Sequence, residues 1–154
     1  MRKGIRIVLK GIKIFFISIF ASILLLLIST PFVNDFSAHR TMADIASLPL
    51  PRDTRIAERF SRAGKLVGSG NGMQFLGALL LESELPLEEL EKHYSAYREK
   101  EWEYVVEVQD TQAIQATEHR YCSFKTDVTN GQYYIVYTWG NGISPFQDLD
   151  IRGH

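Results

Sequence analysis

The chain has 154 residues, a formal net charge of −1 and a single cysteine. This length allows one domain with an appendage, and one cysteine excludes a disulfide bond within the chain. Five of the 17 basic residues lie among the first thirteen positions, which leaves twelve against all 18 acids and a net charge of about −6 for the rest. Such a body is a poor partner for nucleic acid, because that affinity comes largely from Lys and Arg that neutralise phosphates.

The first element is an apolar segment, IFFISIFASILLLLISTPFV, over residues 14–33. As a helix it would span roughly 30 Å, the thickness of the hydrocarbon layer of a bilayer. The basic residues precede the segment, and the first acid after it is Asp35. The positive-inside rule therefore predicts a cytoplasmic basic tail over residues 1–13 and an extracytoplasmic chain from residue 34 to residue 154. We predict a single-pass anchor in the cell membrane that contacts the lipid bilayer through residues 14–33.

Two alternatives compete with this anchor. The densest apolar run, residues 14–28, is close in length to the core of a secretory signal, whose cleavage would release a secreted protein. The sequence that follows it, STPF over residues 29–32, is a poor cleavage site. A buried core helix is the second alternative.

A stalk is predicted after the anchor, over residues 34–54. This segment has no sustained apolar period, and it ends in Pro49 and Pro51. Proline favours an extended chain and removes backbone donors. We expect a short helix over residues 41–48 at most, and a folded domain over residues 55–154.

The folded domain begins with two predicted strands, residues 55–67 and 73–81, on either side of SGNG at residues 69–72. Asn-Gly between apolar runs is a strong hairpin signal, because both residues tolerate the positive φ of a type I′ turn. The wider segment GKLVGSGNGMQ, with its four glycines, could also cradle a phosphate. It fails both nucleotide-loop templates, since Lys65 is followed by Leu66 rather than Ser or Thr and no G-x-G-x-x-G is complete. We predict a turn and no bound nucleotide.

A helix is predicted next, over residues 86–99. Pro86 suits the first turn of a helix, and Glu88 and Glu89 complement the dipole at its N-terminus. Residues 82–107 hold nine glutamates against three basic residues. A solvated face and a loose patch for divalent cations are two interpretations of these acids. The third is a docking face for a basic protein partner, formed by Glu84, Glu88 and Glu91.

Three further strands complete the predicted order ββαβββ. Residues 102–110, WEYVVEVQD, alternate between polar and apolar, and residues 119–128 and 132–139 form a hairpin around an Asn-Gly pair. Ser144 begins a capping box that predicts a closing helical turn. The expected fold class is therefore α+β, a single antiparallel sheet with one packed helix, preceded by one N-terminal transmembrane helix.

Aromatic residues crowd the last predicted hairpin. Alternation puts Tyr133, Tyr137 and Trp139 on one face of the sheet and Tyr134 on the other. Most such residues belong to a core, but aromatic residues on both faces indicate that another surface covers part of the sheet. Because interfaces are enriched in aromatic residues, Tyr133, Tyr137 and Trp139 form a candidate binding face.

Catalytic groups are sparse. Cys122 with His119 or His93 could supply a thiol nucleophile and its base, but a single cysteine in a strand is more often an apolar filler. His119-x-x-Cys122 lacks two further ligands for structural zinc. We therefore predict no catalytic residue, no metal and no cofactor, and we expect a non-enzymatic binding or accessory module. A small cell-envelope hydrolase and a structural subunit of a membrane complex are the alternatives.

Three stretches carry a resemblance: GKLVGSGNGMQFLGALLLES, LEELEKHYS and YYIVYTWGNGISPF. Over most of residues 49–154 the chain resembles a group of uncharacterised small membrane-anchored bacterial proteins. The resemblance implies a bacterial setting, and it implies no activity, catalytic residue or partner.

Overall fold

A long helix and a four-stranded sheet form the chain in the computed structural model, which describes residues 2–97, 103–119, 122–140 and 144–154. The helices are α1, Arg2–Ala46, and α2, Leu87–Ser95. The strands are β1, Thr54–Gly64; β2, Gln74–Ser83; β3, Val105–Val108; and β4, Tyr133–Gly140. Two short 3₁₀ turns follow, Gln147–Leu149 and Ile151–Gly153, and together they are termed the 147–153 turns.

The sheet has the strand order β1-β2-β4-β3, and all neighbouring strands are antiparallel. Strand β2 is central and is buried along nearly its whole length. This burial explains its sequence, because a strand covered on both faces is apolar throughout rather than alternating. The predicted α+β class with a single antiparallel sheet is confirmed.

Helix α1 does not end with the apolar segment but continues to Ala46 and packs against β1, β2 and β4. Its buried positions recur at the spacing of one helix face: Asn34, Ser37, Ala38, Thr41, Met42 and Ile45. The stalk predicted over residues 34–54 is therefore corrected, because residues 34–46 belong to the folded unit. Half of this face is polar, and its apolar residues are only Ala38, Met42 and Ile45, so its apolar period is too short to stand out in the sequence.

Helix α1 approaches the sheet closely at Gly77 of β2. A Cβ atom at this position would lie 2.4 Å from the backbone nitrogen of Met42 and 2.6 Å from the carbonyl carbon of Thr41. Helix and strand backbones can approach this closely only because Gly77 has no side chain.

Helix α2 covers the same face of the sheet beside α1. Its Leu90 and Tyr94 are buried in one cluster with Met42 and Ile45 of α1. The predicted helix is thus present from Leu87 to Ser95. It ends there with Ala96 as its C-cap, earlier than the predicted end at residue 99. The predicted start of the next strand, residue 102, lies outside the described residues, and the strand is observed from Val105.

The opposite face of the sheet is covered by a coil rather than by a strand. In the described part of residues 119–128, where a strand is predicted, only an isolated bridge joins Ser123 to Ala113. The coil is fixed by the Glu58 carboxylate of β1, which accepts hydrogen bonds from the N–H groups of Lys125 and Thr126, each at 2.8 Å. The predicted order ββαβββ is therefore corrected to ββαββ for the described residues, because a side chain of β1 takes donors that a sheet partner would have taken.

These contacts also act on the acidity of Glu58. Burial acts to raise its pKa, but the backbone N–H groups of Lys125 and Thr126 stabilise the carboxylate, and the net effect lowers the pKa below its ordinary value. The carboxylate therefore holds the coil most firmly in its charged form.

A buried polar cluster joins the 147–153 turns to α1. The Asn34 amide of α1 donates a hydrogen bond to Asp150 Oδ2 at 2.8 Å, and the Ser144 hydroxyl donates to the Asn34 carbonyl oxygen. Ser144 also accepts a hydrogen bond from Phe146 N at 3.3 Å. A helical turn follows near the predicted place, but it is 3₁₀ rather than α-helical, and its N-cap is Phe146, without a side-chain capping bond.

Arg152 adds a second connection between the turns and α1. Its guanidinium donates to Asp150 Oδ2 at 2.7 Å, to Asp35 Oδ1 at 2.8 Å and to the Pro31 carbonyl at 3.0 Å. The hydrogen bonds from Arg152, followed by the one from Asn34, outweigh burial and lower the pKa of Asp150 to about 2. The cluster fixes the folded domain to the helix at the end of the predicted anchor.

Candidate functional site

The two ends of the sheet lie at different heights along α1. At one end, Ala63 and Phe75 pack against Ala38. At the other end, Leu81 packs in the cluster of Ile45. Because an α-helix rises about 1.5 Å per residue, the second end is about 10 Å farther from the predicted anchor. We term the first end proximal and the second distal.

An open groove of about 540 Å³ lies at the distal end. It is lined by Asp53, Thr54, Arg55, Glu82, Ser83, Glu84, Gly131 and Gln132. Asp53 has a φ of 53°, in the left-handed region that few residues other than glycine adopt, and it turns the chain into β1. The Thr54 and Ser83 hydroxyl groups lie 2.7 Å apart across the first strand pair. Three separate segments build this groove, so no local sequence pattern indicates it.

A row of side chains crosses the sheet at the groove. Arg55, Glu82 and Tyr133 are register partners on β1, β2 and β4, and the Arg55 guanidinium donates to the Glu82 carboxylate. Burial, followed by the charge of Glu82, raises the pKa of Tyr133. The Arg55 side chain is 74% exposed and the Glu82 side chain 30%, so this ion pair contributes little to stability.

One of the three acids of the predicted docking face, Glu84, lines this groove, and the other two lie on α2. Glu84, Glu88 and Glu91 are all exposed, and Glu84 lines the groove itself. Helix α2 is fixed here by His93, whose Nε2 lies 2.7 Å from the Pro49 carbonyl in the link between α1 and β1. The distal end therefore combines a groove with an exposed acidic helix.

Two of the three residues of the candidate aromatic binding face are buried in the structure. The predicted alternation holds, since Tyr133, Tyr137 and Trp139 belong to one cluster and Tyr134 to the cluster on the other face. However, Tyr133 and Tyr137 are each only 8% exposed, and Phe124 of the coil packs in the same cluster. The surface that covers these aromatic residues is the chain's own coil, and only Trp139 is partly accessible.

The Tyr137 hydroxyl reaches the edge of this cluster. It donates to Glu107 Oε1 at 3.3 Å, and burial followed by the Glu107 charge raises its pKa to about 12. The group therefore stays protonated at neutral pH. It acts as a buried donor within the core.

The glycine-rich segment is a loop at the proximal end, and several of its backbone donors have partners from the chain itself. Gln74 Oε1 accepts hydrogen bonds from the N–H groups of Leu66 and Val67, and Gln74 Nε2 donates to the Val67 carbonyl. The Gly68 N–H donates to the Glu118 carboxylate at 3.0 Å. A phosphate would have to displace these bonds, which agrees with the predicted turn. The tight type I′ geometry does not form, because Asn71 does not have a positive φ.

Cys122 and His119 line one small cavity of about 260 Å³ beside this loop. The His119 ring nitrogen is in a hydrogen bond with the Gly68 carbonyl, and Cys122 is 5% exposed. His93 lies on α2, whose Leu90 and Tyr94 pack in the cluster on the opposite face of the sheet from Cys122. Of the two histidines considered as a base, the fold thus brings only His119 near the thiol.

Among the described residues, no group of three His, Cys, Asp or Glu side chains is arranged to hold a metal ion. No known protein family, curated protein or solved structure matches the chain. The geometry therefore defines only the structural class of the protein. It is a small α+β domain built on a helix that is long and apolar enough to cross a membrane.

Proposed function

We propose that this protein is a membrane-anchored, extracytoplasmic binding or accessory module whose acidic distal groove contacts a protein partner that carries basic residues. The observation that supports it best is the continuity of α1, which runs from the apolar segment into the core of the domain. Phe20 and Leu25 in this segment are each 69% exposed, and a bilayer would cover such a surface.

Because α1 is continuous, it would fix the distance between the distal groove and the bilayer. From residue 33 to Ala46 the helix rises about 20 Å, which sets the height of the groove above the bilayer. A domain packed on its own anchor helix would present the groove at a constant height to a partner in the same membrane. The exposed carboxylates around the groove would attract a basic surface and set its orientation.

The first experiment tests the orientation in the membrane. A reporter enzyme that is active only outside the cytoplasm should be active when fused after His154, because five basic residues precede the apolar segment. The same reporter fused before Met1 is the control and should be inactive. Activity of a cytoplasm-only reporter after His154 would contradict the proposed orientation. A mature protein shorter by about thirty residues would instead support a cleaved signal.

The second experiment tests the groove. A photo-crosslinking amino acid at Arg52, beside the groove, should form an adduct with one membrane-associated protein in cells. The double change Glu84→Lys with Glu88→Lys should lower the adduct yield about tenfold, because it replaces attraction to a basic partner by repulsion.

A matched control is Asp44→Lys with Asp148→Lys, which changes the net charge equally at exposed positions that do not line the groove. This control should leave the adduct unchanged. An equal loss in both double variants, or no loss in either, would contradict a specific acidic groove.

A further inference from the structure

We propose that the 147–153 turns form a second membrane contact, in which Ile151 and Leu149 enter the boundary between lipid headgroups and acyl chains beside α1. The proposal rests on α1 being the membrane anchor. It adds that the proximal end of the domain lies against the lipid surface and is not held clear of it.

The apolar side chains of the turns are unusually open to solvent. Ile151 is 85% exposed, more than Phe20 of the apolar segment at 69%, and Leu149 is 45% exposed. Two exposed large apolar residues within three positions form the kind of surface that interfacial segments bury in a bilayer.

The height of the turns on α1 is fixed by hydrogen bonds. Arg152 donates to the Pro31 carbonyl at 3.0 Å, and Asn34 donates to Asp150 at 2.8 Å. These contacts put the turns beside residues 31–34, which are the last turn of the predicted anchor and the first residue after it. Ile151 therefore lies at the level where the hydrocarbon layer would end.

The proximal loop fixes the turns from the other side. Lys65 N donates to the Arg152 carbonyl at 2.8 Å, and Gly72 N donates to the Gly153 carbonyl at 2.7 Å. Ile151 is thus presented by a backbone that is tied to both the helix and the sheet. Its exposure comes from a fixed part of the fold.

The outer face of α1 continues the apolar surface past this level. Phe32 is 71% exposed and Phe36 is 61% exposed. Phe36 stands three residues past the end of the predicted anchor, a rise of about 4.5 Å. A bilayer that covers both phenylalanines reaches the height of Ile151. This continuity identifies the lipid bilayer as the occupant, because it already surrounds the adjoining helix.

The polar groups at this depth are compatible with a low-dielectric surrounding. Asn34, Ser144 and Asp150 are each at most 4% exposed and bond to one another or to Arg152. Among the described residues, no buried side-chain nitrogen or oxygen lacks a partner. Polar groups near hydrocarbon are tolerated when they are satisfied within the protein.

The glycine-rich loop, at the same proximal end of the domain, has small residues at three exposed positions. Gly68, Ser69 and Gly70 are exposed, and a Cβ atom added at Gly70 would meet nothing within 4 Å. Small residues at these positions leave the lipid surface free to approach the proximal end.

Depth-dependent fluorescence quenching of the full chain in phosphatidylcholine–phosphatidylglycerol vesicles tests the proposal. The background is Cys122→Ala, and an environment-sensitive NBD label is placed at Ile151→Cys. Leu25→Cys, in the middle of the apolar segment, is the reference for insertion. Leu50→Cys, 42% exposed in the link between α1 and β1, is the control. Circular dichroism verifies that all three labelled variants are folded.

We expect lipids with a shallow spin label to quench the fluorescence at Ile151→Cys at least twofold more than at Leu50→Cys, and a deep spin label to quench Leu25→Cys most. If Ile151→Cys behaves like Leu50→Cys while Leu25→Cys is quenched, the second contact is wrong and the anchor stands. If Leu25→Cys is not quenched either, the anchor itself is wrong. The second contact, which rests on the anchor, is then wrong as well.

Discussion

Gly77→Ala should destabilise the folded domain by about 3 kcal/mol, the upper part of the range for overpacked cores. The added Cβ atom would lie 2.4 Å from the Met42 nitrogen, which is a backbone atom of a helix and cannot move aside as a side-chain tip can. Either α1 separates from β2 or the strand bends. Both responses open the cluster that contains Met42, Ile45 and Leu79.

Urea unfolding of the full chain in detergent micelles, followed by tryptophan fluorescence, measures this effect. The matched control is Gly70→Ala, where an added Cβ atom meets nothing within 4 Å, and neither glycine has a positive φ. The control should change the free energy of unfolding by no more than about 0.5 kcal/mol. If Gly77→Ala is as stable as Gly70→Ala, the close packing of α1 on β2 is wrong.

The parts of the fold that the sequence predicts well are those whose pattern depends on burial alone. Strand β2 is a continuous apolar run because it is central, and α2 shows its buried Leu90 and Tyr94 at helical spacing. Alternation likewise assigned Tyr133 and Tyr137 to one face and Tyr134 to the other. Such periods are local, so one sequence is enough to detect them.

The continuation of α1 could not be predicted, because its buried face has the right spacing but the wrong residue types. Asn34, Ser37 and Thr41 are buried there, and polar side chains at those positions predict exposure. Two conditions outside the segment make their burial favourable. Gly77 allows the backbones to approach, and Asp150 supplies a partner for Asn34.

For the candidate site, the sequence predicts which acids are exposed but does not predict the groove. The exposure of Glu88 and Glu91 agrees with helical spacing, and Glu84, which precedes α2, is exposed as well. The groove beside them needs Asp53 and Gln132 brought together from distant parts of the chain. The burial of Tyr133 and Tyr137 could not be predicted for a related reason. A sequence period shows which residues share a face of a sheet, but it does not show which part of the chain covers that face.

Asp150→Ala should destabilise the domain by about 3 kcal/mol, because it removes one partner of a buried, hydrogen-bonded charge pair. Asn34, which is fully buried, loses the acceptor of its amide, and Arg152 keeps only Asp35 and the Pro31 carbonyl. The matched control is Asp148→Ala, an exposed acid in the same turns, which should change stability by no more than about 0.5 kcal/mol. Equal stabilities of the two variants would contradict a structural role for the polar cluster.

The same cluster predicts a pH dependence with a defined sign. The pKa of Asp150 in the folded protein is lowered to about 2, whereas an unperturbed aspartate has a pKa of about 3.9. A lowered pKa stabilises the fold at pH values above the unfolded pKa, and this stabilisation is lost as the pH falls from about 4 to about 2.

Other carboxylates, among them Glu58 with its lowered pKa, titrate over a similar range, so the informative quantity is the difference between the wild type and Asp150→Asn. We expect this difference in unfolding free energy to be about 2 kcal/mol at pH 6 and to shrink as the pH is lowered toward 2. A difference that stays constant over this range would mean that the charge of Asp150 does not fix the turns to α1.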